Sequence, residues 1–176
     1  MIWQLRIGRW KFTFTMARVT DVIGVNSRLP DGKHILMWDF DDVELRGVVK
    51  ALKMQMRRYK LPRIYVLNSG ADRHWMAYCF DRREWREAYG IVASTPHVDM
   101  GYLKYAAVRG HFTLRVSPKD GRKIKLVCII PSPHPERAYV KELRSWVRYE
   151  TLADGEEVRM CLLEISRNGC VVRISR

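Results

Sequence analysis

The run HILMWDFDD, residues 34 to 42, constrains the fold of this chain more than any other stretch. Residues 34 to 38 read as a strand, and its apolar side chains ask for burial. LPDG, residues 29 to 32, supplies the turn before it. The strand then runs straight into Asp39, Asp41 and Asp42. Asp39 and Asp41 are two apart on an extended chain, so they point the same way. Two carboxylates on one face repel, and they stay ionised at low cost only with a cation between them. Mg²⁺ or Mn²⁺ suits such all-oxygen ligation and also bridges to phosphates. Asp42 points elsewhere and is expected to cap the helix that follows. The plainer reading is a solvated strand end followed by a helix cap.

A helix is predicted over residues 43 to 60. Leu45, Val48, Val49, Leu52 and Met56 make one apolar face. Arg46, Lys50, Lys53, Arg57 and Lys60 make a basic one, and Pro62 ends the helix. RIYVLNSG and HWMAYCF read as two strands joined by a short turn, hence a hairpin. DRREWREAYGIVA reads as a second helix with Asp81 as its N-cap. HFTLRV and IKLVCII, separated by SPKDGRK, give another hairpin signal. PERAYVKELRSWVRYETL is predicted as a C-terminal amphipathic helix with a basic stripe of Arg137, Lys141, Arg144 and Arg148. A last hairpin is expected around Asn168 and Gly169, and KFTFTMARV alternates as a strand near the start. The fold class is therefore α+β. Its β-α-β-β-α-β core, about residues 34 to 130, is RRM-like or ferredoxin-like, with added β-hairpins and a C-terminal helix. A single domain is expected, with 1–33 and 131–176 as extensions of that core.

Charge narrows the partner. The chain has 32 Lys and Arg against 19 Asp and Glu, a net charge of +13. Such an excess favours a polyanion, with nucleic acid first and acidic lipid a distant second. Cys79, Cys128, Cys161 and Cys170 form no CxxC and no zinc spacing with histidine. Three of them, Cys79, Cys128 and Cys161, sit in apolar runs as core thiols. The sequence shows no signal peptide and no apolar run long enough to span a membrane, so a soluble, intracellular, cytoplasmic protein is expected.

Two further stretches carry chemistry. LNSGADRHW brings Ser69, Gly70, Arg73 and His74 into one turn. A hydroxyl, turn amides, a guanidinium and an imidazole together make a phosphate cradle. Taken by itself, His74 reads more simply as a satisfied histidine at a strand start. The stretch from 97 to 123 then brings Asp99, Arg109, Arg115 and Lys119.

In this order the pieces resemble the archaeo-eukaryotic primase superfamily. Asp39-Phe40-Asp41 is similar to its strand-end DxD, and SGADRHW to its SGxxGxH hairpin. Val98-Asp99 is similar to its later hydrophobe-Asp, and Arg109, Phe112-Thr113, Arg115 and Lys119-Asp120-Gly121 to its basic, Phe-Ser, basic and KTG elements. The chain departs from the family in three places. The Ser69–His74 segment is one residue short, Asp72 holds a position that is small in the family, and the KTG-like turn is two residues farther from Arg115.

The resemblance implies a DNA primase or primase-polymerase, a nucleotidyltransferase acting on nucleoside triphosphates. Asp39, Asp41 and Asp99 would be catalytic and would hold two Mg²⁺ or Mn²⁺ ions. Ser69, Arg73, His74, Arg109, Arg115 and Lys119 would bind the nucleotide. Arg46, Lys50, Lys53, Arg57, Arg137, Lys141, Arg144 and Arg148 would hold single-stranded or primed DNA. A helicase or accessory replication subunit would be a partner, and a viral or plasmid replicon the setting.

Other readings remain open. A non-catalytic single-strand-binding or replication-initiation module could use Trp3, Trp10, Tyr65, Trp75 and Tyr78, although no RNP1 pattern occurs. A haloacid dehalogenase-like phosphatase fits DFDDV, with Asp39 as nucleophile and Asp41 as acid/base, but lacks the later paired acids. A rolling-circle nuclease would want an HxH pair, which the sequence lacks.

Overall fold

The computed structural model describes residues 2–15, 18–152, 160–166 and 169–174. The chain divides into two compact units, one of Asp21–Tyr149 and one of Met1–Thr20 with Glu150–Arg176. Both are built mainly from antiparallel strands, and the larger unit also carries the helices, so the chain is α+β.

In the smaller unit, β1 (Ile2–Ile7) and β2 (Trp10–Thr15) form a hairpin. It joins a second hairpin, β10 (Met160–Ser166) with β11 (Gly169–Ile174), through parallel pairing of β1 with β10. The expected last hairpin is thus formed, while Asn168 of its turn and the side chains of Trp3, Cys161 and Cys170 lie outside the described residues.

The larger unit is organised around β4 (His34–Phe40), where Ile35, Leu36, Met37, Trp38 and Phe40 are all fully buried. Helix α1 (Leu45–Tyr59) buries Val48, Ala51, Leu52, Gln55 and Met56. It ends at Lys60, which adopts a left-handed conformation before Pro62. The helix starts later than expected: Glu44 is its N-cap residue and makes no side-chain cap. Asp42 is not a cap; it sits in a left-handed turn with its carboxylate on Arg73.

Strands β5 (Ile64–Asn68) and β6 (Trp75–Arg83) form the expected hairpin. β6 lies between β4 and β5 and is antiparallel to both. Hence β4 and β5 run parallel around an inserted strand, the arrangement of a split β-α-β unit. The register sorts the two sheet faces. Trp38, Ala77 and Val66 lie across from one another on one face; Met37, Tyr78 and Tyr65 do so on the other, with Asp39, Met76 and Leu67 one step further along.

Four expectations need correction beyond this point. Helix α2 (Trp85–Ala93) has Glu84 at its N-cap position without a side-chain cap, and Asp81 is instead a fully buried residue of β6. Helix α3 (Met100–Arg109) was not expected, because only Leu103 and Ala106 are buried along it and no wide apolar stripe betrays it. β7 (Thr113–Arg115) and β8 (Lys125–Ile130) do not form a hairpin. β7 pairs with β3 (Val19–Asn26), while β8 completes the order β4-β6-β5-β8. The turn signal between them is real but local, a single bridge from Lys119 to Arg122.

The fourth correction is the C-terminal helix. Residues 135–152 contain one 3₁₀ turn, Val140–Glu142, and then β9 (Trp146–Leu152), which pairs with β3. The amides of Arg137 and Ala138 both donate to the Phe80 carbonyl on β6, which holds this segment against the sheet. The residues beyond are aromatic and β-branched and suit a strand. The stripe of Arg137, Lys141, Arg144 and Arg148 therefore dissolves. Arg137 is bound to Asp81, Arg148 to Asp21, and Lys141 lies over the Tyr139 ring.

Ser27, just past β3, joins that strand to its neighbours. Its amide donates to the Phe112 carbonyl, its carbonyl accepts from Ile35, and its hydroxyl meets His34 Nδ1 at 2.9 Å. His34 is 3 % exposed, and burial, with help from Arg28 and His111, lowers its pKa to about 4, against the pull of Glu84 and Asp31. A histidine with a lowered folded pKa binds fewer protons folded than unfolded, so its contribution is complete above about 6.5 and is lost as pH falls toward 4. That is worth up to about 3 kcal/mol. Urea midpoints measured from pH 7 to pH 4 are expected to fall more steeply for wild type than for His34→Gln. Parallel curves would remove His34 as the cause.

Candidate active site

The acids converge at the end of β4. Asp39 is half-buried on the face shared with Met76 and Leu67, and its carbonyl accepts from the Asp99 amide at 2.9 Å. Asp99 is the N-cap of α3, where its carboxylate accepts from the Tyr102 amide. That helix, missed in the sequence, is what brings Asp99 beside Asp39. Tyr102 adds a second tie through its hydroxyl, which donates to the Met37 carbonyl at 3.0 Å. Asp41 stands just past the strand, exposed, with Oδ1 2.7 Å from His74 Nδ1. A carboxylate only accepts, so Nδ1 carries the proton and Nε2 remains for another partner.

Burial, reinforced by Asp41 and Asp99, pushes the Asp39 carboxyl up to about 7, while Arg115 opposes them. Negative charge is thus concentrated here without full compensation. All-oxygen donors under mutual repulsion fit a hard divalent cation in kind. The three carboxylates are in electrostatic reach rather than closed around a point. Among the described residues no group of three or more His, Cys, Asp or Glu that could hold a metal ion is formed.

The β5–β6 turn faces these acids. Asn68 shapes it: its Oδ1 accepts from the Gly70 amide at 2.8 Å and its Nδ2 donates to the Ala71 carbonyl at 2.9 Å. Ser69 presents its carbonyl to Arg115 Nη2 at 2.6 Å, and Arg115 Nη1 reaches the Ser117 carbonyl. Among the described residues no carboxylate lies within ion-pair distance of Arg115, although Asp39 lies within its electrostatic range. Arg73 behaves differently: its Nε is 3.2 Å from Asp42 and 3.6 Å from Glu44. Lys119 lies within electrostatic range of Arg115, Arg122 and Asp41. Arg109 stands farther out, exposed at the end of α3 over the Tyr105 ring.

Two tyrosines belong to the site that the sequence did not assign to it. Tyr78 pairs across from Met37, and Tyr149 arrives on β9; both feel Asp39 and Arg115. Tyr149 was hidden inside the expected helix. Gly24 on β3 makes room for it, since a Cβ there would stand 2.9 Å from both the Tyr149 ring and Thr113 Cγ2.

Gly70 is tighter. It has φ +93°, and a Cβ would meet Arg122 Cβ at 2.8 Å and the Lys123 carbonyl at 3.2 Å. Gly70→Ala is expected to cost about 1–3 kcal/mol through backbone strain and this clash. It should also displace Ser69 from Arg115. Thermal melts and nucleotide affinity, measured together, check both effects; an unchanged melting temperature would show that the turn yields freely.

Helix α1 carries the other cationic surface. Arg46, Lys50, Lys53 and Arg57 are exposed and border an open groove of about 1150 Å³ with Pro96 and His97. Among the described residues none of the four has a carboxylate within ion-pair distance. Of the cysteines, Cys79 is buried and Cys128 half-buried, and both are free thiols. No helix among the described residues is long and apolar enough to cross a membrane.

Comparisons with models of known families, with curated proteins and with solved structures return no match.

Proposed function

We propose that the larger unit performs template-directed nucleotidyl transfer in the manner of a primase or primase-polymerase, on an RRM-like core. One observation carries this reading. Asp39, Asp41, Ser69, His74, Asp99 and Arg115, spread over more than seventy residues, are joined at one sheet end by direct bonds: Asp99 to Asp39, His74 to Asp41, and Arg115 to Ser69. Motifs that lie far apart in the sequence are thus in contact, which chance matches to short motifs would not require.

On this reading Asp39 and Asp41, with Asp99 turned from its cap, would hold Mg²⁺ or Mn²⁺. The bound ions would supply Lewis acidity at the α-phosphate and neutralise charge on both oxygens of an in-line displacement. The chain supplies the rest. Arg115 and Lys119 take up the triphosphate charge. His74, oriented by Asp41 through Nδ1–H, would meet a phosphate oxygen as the imidazolium, with Nε2–H donating. Arg73 joins them once released from Asp42 and Glu44. The exposed face of α1 holds the template backbone without reading its sequence.

The test is nucleotide incorporation on single-stranded and primed DNA with Mg²⁺ or Mn²⁺, comparing wild type with Asp39→Ala/Asp41→Ala. Metal-dependent extension lost in the variant supports the reading. Template binding has its own check: Lys50→Ala/Lys53→Ala should flatten the plot of log affinity against log salt by roughly 1 to 2. An unchanged slope would move the template elsewhere.

A second reading has an observation behind it. Asp99 already caps α3 and Asp41 already holds His74. A binding module on the same fold would keep these acids for structure alone. Equal single-strand binding by wild type and the Asp39→Ala/Asp41→Ala variant, with no extension by either, would favour it. The phosphatase reading loses ground because β4, β5, β6 and β8 all have antiparallel neighbours, unlike a sheet of repeated β-α-β units.

A further inference from the structure

The sheet face that carries Asp39 also floors a cleft of about 590 Å³. Tyr65, Tyr78, Phe80, Tyr139 and Trp146 supply its flat apolar surface, and Arg115 is its cation. Its size is that of a small-molecule site, and so is its makeup, mostly apolar with few polar groups. The rim is unusual for a core: Trp146 is 58 % exposed and Tyr139 57 %. Burial within the fold does not account for these two rings.

The polar groups lie at opposite ends. At the start of β5, the Tyr65 hydroxyl donates to Glu136 Oε1 at 2.9 Å. Just past its end, Ser69 holds Arg115. Ser69 lies four residue steps along from Tyr65, about 13 Å. A planar ring between the aromatic side chains, with an anionic group reaching Arg115, matches that layout.

We propose that this cleft binds a nucleobase, and that Arg115 meets the phosphate attached to it. The assignment deepens the nucleotidyl-transfer reading and rests on it for where the phosphates go. A nucleobase could arrive on a free nucleotide or within a single strand, and the cleft chemistry is the same for both.

The test is done without metal, in EDTA, so that it does not depend on catalysis. The probes are the fluorescent ethenoadenosine analogue of ATP, a single-stranded DNA oligonucleotide, and inorganic tripolyphosphate, each titrated against wild type, Trp146→Ala and Tyr139→Ala. Both positions are exposed, and unchanged melting temperatures confirm that the variants fold. Loss of one stacking partner should weaken binding of a base about tenfold or more. Tripolyphosphate should bind wild type and both variants alike. Weakening of the nucleotide identifies a free nucleotide as occupant; weakening of the oligonucleotide alone identifies a base of the strand. Equal affinities of all three proteins for both base-containing probes overturn the proposal, as does failure of both probes to bind wild type. Trp146-dependent binding in a protein that incorporates no nucleotide leaves the cleft assignment standing and removes the catalytic one.

Discussion

Asp39→Asn is expected to abolish metal-dependent incorporation while making the metal-free protein more stable. The first effect follows from electrostatics. Removing one preorganised group that stabilises transition-state charge costs about 100- to 1000-fold, and on the nucleotidyl-transfer reading Asp39, which would hold the metal, belongs at the upper end. The second follows from the position of the side chain. Asp39 is half-buried and faced by Asp41 and Asp99, which together with burial raise its pKa to about 7. An acid with a raised folded pKa binds more protons folded than unfolded, so stability declines as pH rises from about 4 to 7. Near pH 8 the full penalty amounts to about 4 kcal/mol. The isosteric amide relieves part of it, about 1–3 kcal/mol. Melting in EDTA should therefore show Asp39→Asn above wild type at pH 8, with the gap closing toward pH 5. Adding Mg²⁺ should raise the wild-type melting temperature and leave the variant unmoved. A variant that is less stable than wild type at pH 8 in EDTA would mean that Asp39 is structural, and the site would lose its central acid.

That exchange of stability for function bears on how much the sequence could reveal. The end of β4 was legible because its determinants are local: an apolar run, a turn before it, and acids where the strand stops. The β5–β6 hairpin and the apolar face of α1 were legible for the same reason. The contacts Asp41–His74 and Ser69–Arg115 link residues whose types already implied a phosphate site, although nothing local said they would touch. What stayed hidden depends on distant partners. Periodicity in 135–152 suits a helix, but the Phe80 carbonyl captures the amides of Arg137 and Ala138 and the chain enters a sheet instead. Asp42 looked like a cap because it precedes a helix, yet Arg73, far along the chain, claims it. β7 and β8 parted because β3 and β5 offered each an edge. In each case a long-range bond outweighed a local preference of a few tenths of a kcal/mol to about 1 kcal/mol.

Asp81 is the clearest instance, and it yields the largest stability effect. Its side chain is 0 % exposed, and three arginines address it. Arg83 Nε reaches Oδ2 at 2.6 Å, the Arg82 amide reaches Oδ1 at 3.0 Å, and Arg137 grips both oxygens through Nε and Nη2. Arg83 spans further, to Glu87 and to the Tyr59 carbonyl at the end of α1. One carboxylate thus ties β6 to α1, α2 and the 136–143 segment. Asp81→Ala would leave Arg83, only 15 % exposed, without its buried counter-charge. Removing one partner of a buried pair costs about 3–5 kcal/mol, and denaturant midpoints should show a loss of that size. The consequence reaches the cleft, because the segment Arg137 anchors carries Ala138, Tyr139, Val140 and Leu143 of its wall. Hydrogen exchange at the Arg137 and Ala138 amides should quicken in Asp81→Ala before the rest of the sheet opens, and nucleotide affinity should fall with it. A double-mutant cycle with Asp81→Asn and Arg137→Gln separates the pair from the remainder of the cluster. If Asp81→Ala costs less than about 1 kcal/mol, or the two amides remain as protected as in wild type, the segment is held by its backbone bonds to Phe80 and Asp81 is not its anchor.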